Sequence, residues 1–171
     1  MAKKGKGLIR SLNRKGTKSG RSPAAARQAG PLPERTVCDR CGAVYARKSW
    51  RRHGRVSHAL LSRAAWKVCP ACRQVAEGTY FGRVLIRGNF AAANAPLIRQ
   101  RIQNVVARAQ HTQPQRQLVS MEARDDGLEV LTTSQKLAHR IAHELKKVFR
   151  GRAVYHWSDT DGTLHAVWER S

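Results

Sequence analysis

The residues with the most definite chemistry are four cysteines in two matched pairs, Cys38-Asp-Arg-Cys41 and Cys69-Pro-Ala-Cys72. A two-residue spacer lets both thiolates of a tight turn address one ion, and Gly42 after the first pair suits the left-handed turn of such a knuckle. Four soft sulfur donors favour zinc. The spacing therefore predicts one structural Zn2+ held by Cys38, Cys41, Cys69 and Cys72, a closed shell with no open position for catalysis. The competing uses of paired cysteines fit less well. A thioredoxin-type redox centre has a single Cys-x-x-Cys opening a helix in a βαβ unit, and a disulfide framework needs oxidising surroundings that no secretory signal indicates.

Between the pairs lie Arg47, Lys48, Trp50, Arg51, Arg52, Arg55 and Arg63, with Trp66 just before the second pair. Arginine offers bidentate contacts to phosphate, and tryptophan offers a face on which a base can stack, so this loop is a candidate nucleic-acid-binding surface. Each tryptophan has a second reading, as apolar cover over the cysteine knuckles, and that reading is preferred for both. His53 and His58 are expected to be surface or RNA-facing groups; replacement of a cysteine ligand by either is the alternative.

Charge supports an anionic partner. Thirty-three Lys and Arg face eleven Asp and Glu in 171 residues, a formal net charge of +22. Such a chain repels itself unless a polyanion compensates, and nucleic acid is favoured over an anionic membrane surface. Residues 1–30 contain nine of the basic residues and no acid. Among them Lys3, Lys4, Lys6, Arg10, Arg14, Lys15, Lys18 and Arg21 are spaced to neutralise successive phosphates. The segment is too poor in apolar residues to offset its ordering entropy, so 1–33 is expected to be a disordered basic tail when free. No apolar run reaches the length of a membrane span or a secretory core, and a cytoplasmic location is expected, with organelle targeting by the basic start as the weaker alternative.

The elements that position these groups follow from periodicity. Residues 34–78 form the cysteine module. From 79 to 171, "TYFGRVLIRG" alternates Tyr80, Val84 and Ile86 against Arg83 and Arg87 as a strand. Ile98, Ile102, Val105 and Ala109 mark one helix. "RQLVSMEA" and "LEVLTT" form a hairpin across Asp-Gly, Ser134 to about Arg150 forms a second helix with Leu137, Ile141, Leu145 and Val148 inward, and "AVYHWS" and "TLHAVWER" form a last hairpin. The fold class is α+β: a small four-cysteine zinc-ribbon or knuckle module, followed by a ferredoxin-like β-α-β-β-α-β domain with one further strand at its edge.

Other groupings carry less. His139 and His143 share one helix face, but the metalloprotease motif is absent and Lys136, Arg140 and Lys147 on that face disfavour a cation and suit phosphate. Asp125, Asp126, Asp159 and Asp161 belong to turns. No paired carboxylates, activated nucleophile or cofactor loop is present, so no enzyme activity and no small-molecule substrate are expected.

Two segments together, "CDRCGAVY…WKVCPACRQVAEGTYFGRVLIRG" and "LEVLTTSQKLAHRIAHELKKVFRGRAVYHWSDTDGTLHAVWER", resemble small bacterial relatives of the nonsense-mediated-decay-three family, the export adaptors of the large ribosomal subunit. The resemblance spans roughly residues 37–170. It implies a zinc-binding N-terminal region, with Cys38, Cys41, Cys69 and Cys72 as ligands, and α/β domains that contact RNA and the ribosome. This chain has two Cys-x-x-Cys pairs rather than four and lacks the long extension that carries transport signals, so nuclear export is not implied. The expected function is that of a zinc-containing RNA-binding protein, monomeric when free, that associates with rRNA, a ribosomal subunit or a precursor. The alternative is a DNA-binding transcriptional regulator using the zinc module; no helix-turn-helix pattern supports it.

Overall fold

A computed structural model describes residues 32–52 and 56–171; the basic tail, His53 and Arg55 lie outside the described residues. The chain is a mixed α+β structure with two sheets and two separate apolar clusters. The first sheet is antiparallel in the order β1 (Thr36–Val37), β2 (Val44–Ala46) and β3 (Ser49–Arg51). A one-turn helix α1 (His58–Leu61) and a helix α2 (Pro70–Glu77) follow. Gly78 ends α2 in the left-handed conformation, φ 67°, which a residue with a side chain adopts only under strain.

The second unit runs β4 (Gly82–Arg87), α3 (Asn89–Ala93), α4 (Ala95–Thr112), β5 (Leu118–Arg124), β6 (Gly127–Thr132), α5 (Gln135–Phe149), β7 (Arg152–Trp157) and β8 (Leu164–Glu169). Helix α5 begins where Ser134 accepts the Leu137 N–H, and α4 carries Pro96 in its first turn, where no N–H is needed. The inward residues of α4 are Ile98, Ile102, Val105, Val106 and Ala109; those of α5 are Leu137, Ala138, Ile141, Ala142, Leu145 and Phe149. They meet Val84, Ile86, Leu128, Val130, Leu164, Ala166 and Trp168 of the strands in one core. Each fully buried valine, leucine, isoleucine or phenylalanine here contributes on the order of 1.5–3 kcal/mol. Gly82 allows α5 to approach β4, since a Cβ there would sit 2.4 Å from the Ala138 Cβ.

Two expectations are corrected. The sheet order is β5-β6-β4-β8-β7, with β8 parallel to β4, so the further strand is not at the edge as in the ferredoxin-like plan but inside the sheet. The apolar pattern explains the choice. Strand β8 supplies Leu164, Ala166 and Trp168, all at most 1% exposed, whereas β7 leaves Val154 and Trp157 about half exposed. The more apolar strand takes the slot between two neighbours. On α5, Val148 is 43% exposed and Phe149 takes its place, packing with Phe90 and Trp168.

One buried charge is built into the sheet. Glu129 on β6 is 5% exposed and accepts from both Arg83 and Arg124. The Arg124 contact, chiefly, with Arg83, holds its carboxyl below the ordinary carboxylate range against the opposing effect of burial. A depressed folded-state pKa stabilises the fold above the ordinary carboxylate pKa, and the contribution disappears as acid protonates the folded form. Glu129→Gln should therefore lower stability at pH 7 by about 1–3 kcal/mol. In thermal unfolding from pH 7 to pH 3, the gap to the parent should close at the acid end; a gap constant with pH would contradict this account.

Candidate metal centre

The first cysteine pair is made by the β1–β2 hairpin. Cys38 follows β1, its N–H donates to Ala43 O at 2.8 Å, and the Gly42 N–H donates to Cys38 O at 2.9 Å with Gly42 at φ 70°. These bonds curl Cys38–Ala43 into a knuckle. The second pair opens α2: Cys69 is its N-cap, Pro70 stands in its first turn, and the Cys72 N–H donates to Cys69 Sγ at 3.5 Å. Of the ribbon-or-knuckle module expected, the first pair has the knuckle turn, while the second pair sits at a helix start. Backbone N–H groups at a helix start point toward the thiolates and favour their negative charge.

Strand β1 brings the pairs together. On the edge not paired with β2, the Val37 N–H donates to Ala65 O at 2.8 Å and the Lys67 N–H donates to Val37 O at 3.0 Å. Residues 65–67 therefore deliver Cys69 to the knuckle, where its N–H donates to Cys38 Sγ at 3.3 Å. All four sulfurs lie within 4.8 Å of one another. Cys41 and Cys69 Sγ are 3.8 Å apart, close to the edge of about 3.8 Å that a tetrahedron with metal–sulfur bonds of roughly 2.3 Å requires. Among the described residues these four form the only group of three or more His, Cys, Asp or Glu side chains close enough to share an ion. His58, His139 and His143 are exposed and outside it.

The close approach of the sulfurs couples their protons. With protons on the cluster, Cys69 donates to Cys41 and draws the Cys41 thiol down to about 5, while burial opposes the shift. As that donor, and by its burial, Cys69 is pushed far above its ordinary value, and burial raises Cys72 to about 11. A metal ion that replaces these protons neutralises several thiolates at once, and its binding releases protons.

Gln117, just before β5, ties the centre to the larger unit. It is buried, and its Nε2 donates to Cys72 Sγ at 3.4 Å and to Pro114 O at 2.9 Å. Its own N–H donates to Thr133 Oγ1 at 2.9 Å, and the Thr133 N–H returns to Gln117 O at 3.0 Å. Nothing in the local sequence "HTQPQRQL" distinguishes this glutamine, because its partners come from 45 residues upstream and 16 downstream.

The basic candidates divide between two places. Arg47 and Lys48 form the β2–β3 turn and are exposed, as are Arg51, Arg52 and Arg63; Lys136, Arg140 and Lys147 are exposed on α5. Arg55 and the tail candidates lie outside the described residues. Trp50 is only 7% exposed and packs in the cysteine cluster, with its ring 5.5 Å from that of Tyr45. Packing, rather than the base stacking also considered for it, is its role. Trp66 reverses expectation: its backbone is pinned to Val37, yet it is 54% exposed. Among the described residues no helix is long and apolar enough to cross a membrane.

No protein-family model matches the chain, and no curated protein matches it.

The geometry predicts one tightly held metal ion per chain by native mass spectrometry, lost on Cys41→Ser or Cys72→Ser substitution. Gln117→Leu should retain the ion but weaken it by about 10–100-fold in chelator competition, since it removes a hydrogen bond that orients a ligand.

Proposed function

We propose that the protein is a non-enzymatic, zinc-stapled RNA-binding protein that associates with the ribosome or its precursors. The donor set supports zinc, because four thiolates in tetrahedral reach suit that ion and leave no open position for chemistry. The net charge of +22 supports a polyanionic partner. The resemblance of residues 37–170 to the nonsense-mediated-decay-three family supports the ribosome as the place where that RNA is met.

The observation that carries the RNA reading is the tip of the β2–β3 hairpin. Ala46 pairs with Ser49, so Arg47 and Lys48 alone make the turn, and their φ angles are 51° and 59°. Two-residue hairpin turns of this kind favour Asn-Gly, since left-handed backbone costs a residue with a Cβ about 1–2 kcal/mol. Two long cationic side chains occupy the position instead, at the tip of an arm anchored by the metal centre. Strain retained at a charged tip fits a contact made with an anion. Exposed Trp66, backed by a fixed backbone and followed by Lys67, adds a flat face for an unpaired base.

The tip separates stability from binding. Lys48→Gly should leave the melting temperature equal to the parent's or raise it, while reducing affinity for a fluorescent ribosomal RNA fragment by about 3–10-fold and its salt slope by about one. Trp66→Ala should weaken binding to single-stranded RNA without loss of the metal. Sedimentation of a lysate at low salt should place the parent chain with ribosomal particles; a protein left at the top of the gradient with subunits intact would sink the ribosome reading.

A further inference from the structure

We infer that the outer surface of the α4–α5 layer is a docking face for the phosphate backbone of duplex RNA, and that the open face of the five-stranded sheet is not. The inference rests on the RNA-binding reading above and deepens it by naming a second surface and the form of RNA it takes.

The two faces differ in charge. Helices α4 and α5 carry Arg99, Arg101, Arg108, Lys136, Arg140, Lys146 and Lys147 against one carboxylate, Glu144. The Arg101 Nη2 donates to Glu144 at 2.8 Å, joining the helices. Glu144 is held below its ordinary range first by that hydrogen bond and also by the nearby charges of Lys147 and Arg108. Cations from both helices thus converge on a single acid that neutralises only one of them. Arg99 turns inward to Met121 O at 3.3 Å, but Arg108, Lys136, Arg140, Lys146 and Lys147 are exposed.

The sheet carries as many arginines as the helices, four, but no lysine, and its arginines lie among acids of the strands and their turns. Arg83 and Arg124 are both directed at Glu129, Arg87 is 2.9 Å from Asp126, and Arg152 stands opposite Glu169 in register. A polyanion approaching the molecule therefore meets a basic helical layer on one side and a compensated sheet on the other.

The chemistry of the basic layer selects the form of RNA. No Trp, Tyr or Phe is exposed on α4 or α5, since Phe149 is buried, so the layer offers no strong platform for unpaired bases. Lys136, Arg140 and Lys147 instead follow one another along α5 over about 16 Å at 1.5 Å per residue. Such a row addresses successive phosphates of a duplex, which is recognised by backbone and shape rather than by base edges.

The test uses the full, metal-loaded chain and a mixed-sequence RNA duplex of about 20 base pairs, read by fluorescence anisotropy across a salt series. R140E/K147E on the helix layer is compared with R87E/R152E on the sheet, which makes the same change in net charge; melting curves confirm that both fold. The helix pair should weaken binding by about tenfold or more and lower the salt slope by about two, while the sheet pair changes affinity by less than about threefold. Arg108→Glu, from the other helix, should act in the same direction. Equal losses from both pairs, or parent-like binding by the helix pair, would overturn the docking face while leaving RNA binding itself intact. A parent chain that ignores the duplex and single-stranded RNA, or binds only anionic vesicles, would overturn both.

Discussion

Four sulfur atoms drawn to within 4.8 Å of one another are the constraint on which the N-terminal half depends. Its buried cluster comprises Cys38, Ala43, Trp50, Cys69, Ala71 and Cys72, so half of its members are the candidate ligands themselves. Besides the cysteines the module has only Trp50, Ala43, Ala71 and the small-sheet valines Val37 and Val44 buried, with Leu32, Tyr45 and Val68 partly so, a small core for strands of two or three residues. The ion is therefore expected to act as the core, and folding and metal binding to be one event. What the module displays, from the Arg47–Lys48 turn to the Trp66 edge, would be held in place by that closure.

Gln117 extends the constraint across the molecule. Its side chain reaches the Cys72 sulfur while its backbone is locked to Thr133 at the end of β6, so the same residue serves the metal centre and the larger sheet. The electrostatic layout is consistent with this coupling. Acids are used locally, as Glu129 inside the sheet and Glu144 between the helices, and the surplus of positive charge is left on the hairpin tip and the helical layer. Charge on a scaffold of this kind supplies long-range attraction, and fixed geometry turns it into a preferred orientation.

Much of this was legible in the chain because it is periodic. The cysteine spacing marks the four-sulfur cluster, the alternation around Val84 and Ile86 marks β4, and the recurrence of Ile98, Ile102, Val105 and Ala109 marks the inner face of α4. The misreadings share a cause, namely that the deciding partner is distant in sequence. Val148 has the right spacing for burial, but Phe149 wins the contact because Phe90 and Trp168 wait for it. Trp50 and Trp66 are alike in local composition, and only the packing of β3 against the cysteines separates buried from exposed. Strand order is the extreme case, since no local signal tells β8 to enter the middle of the sheet.

That insertion also bears on how the chain folds. Strand β4 pairs with β8 in parallel register, Gly82 opposite Leu164, and the intervening chain contains both long helices and a complete hairpin. The β5–β6 hairpin and the helices can form early from nearby contacts, whereas this central pairing must close a loop of about eighty residues and is entropically late. Until it closes, one side of β4 presents unpaired backbone groups beside an unfilled apolar slot, the kind of edge that recruits other strands. Trp168 fills that slot: completely buried, with its indole N–H on the Arg150 carbonyl, it closes the core only when the last strand is in place.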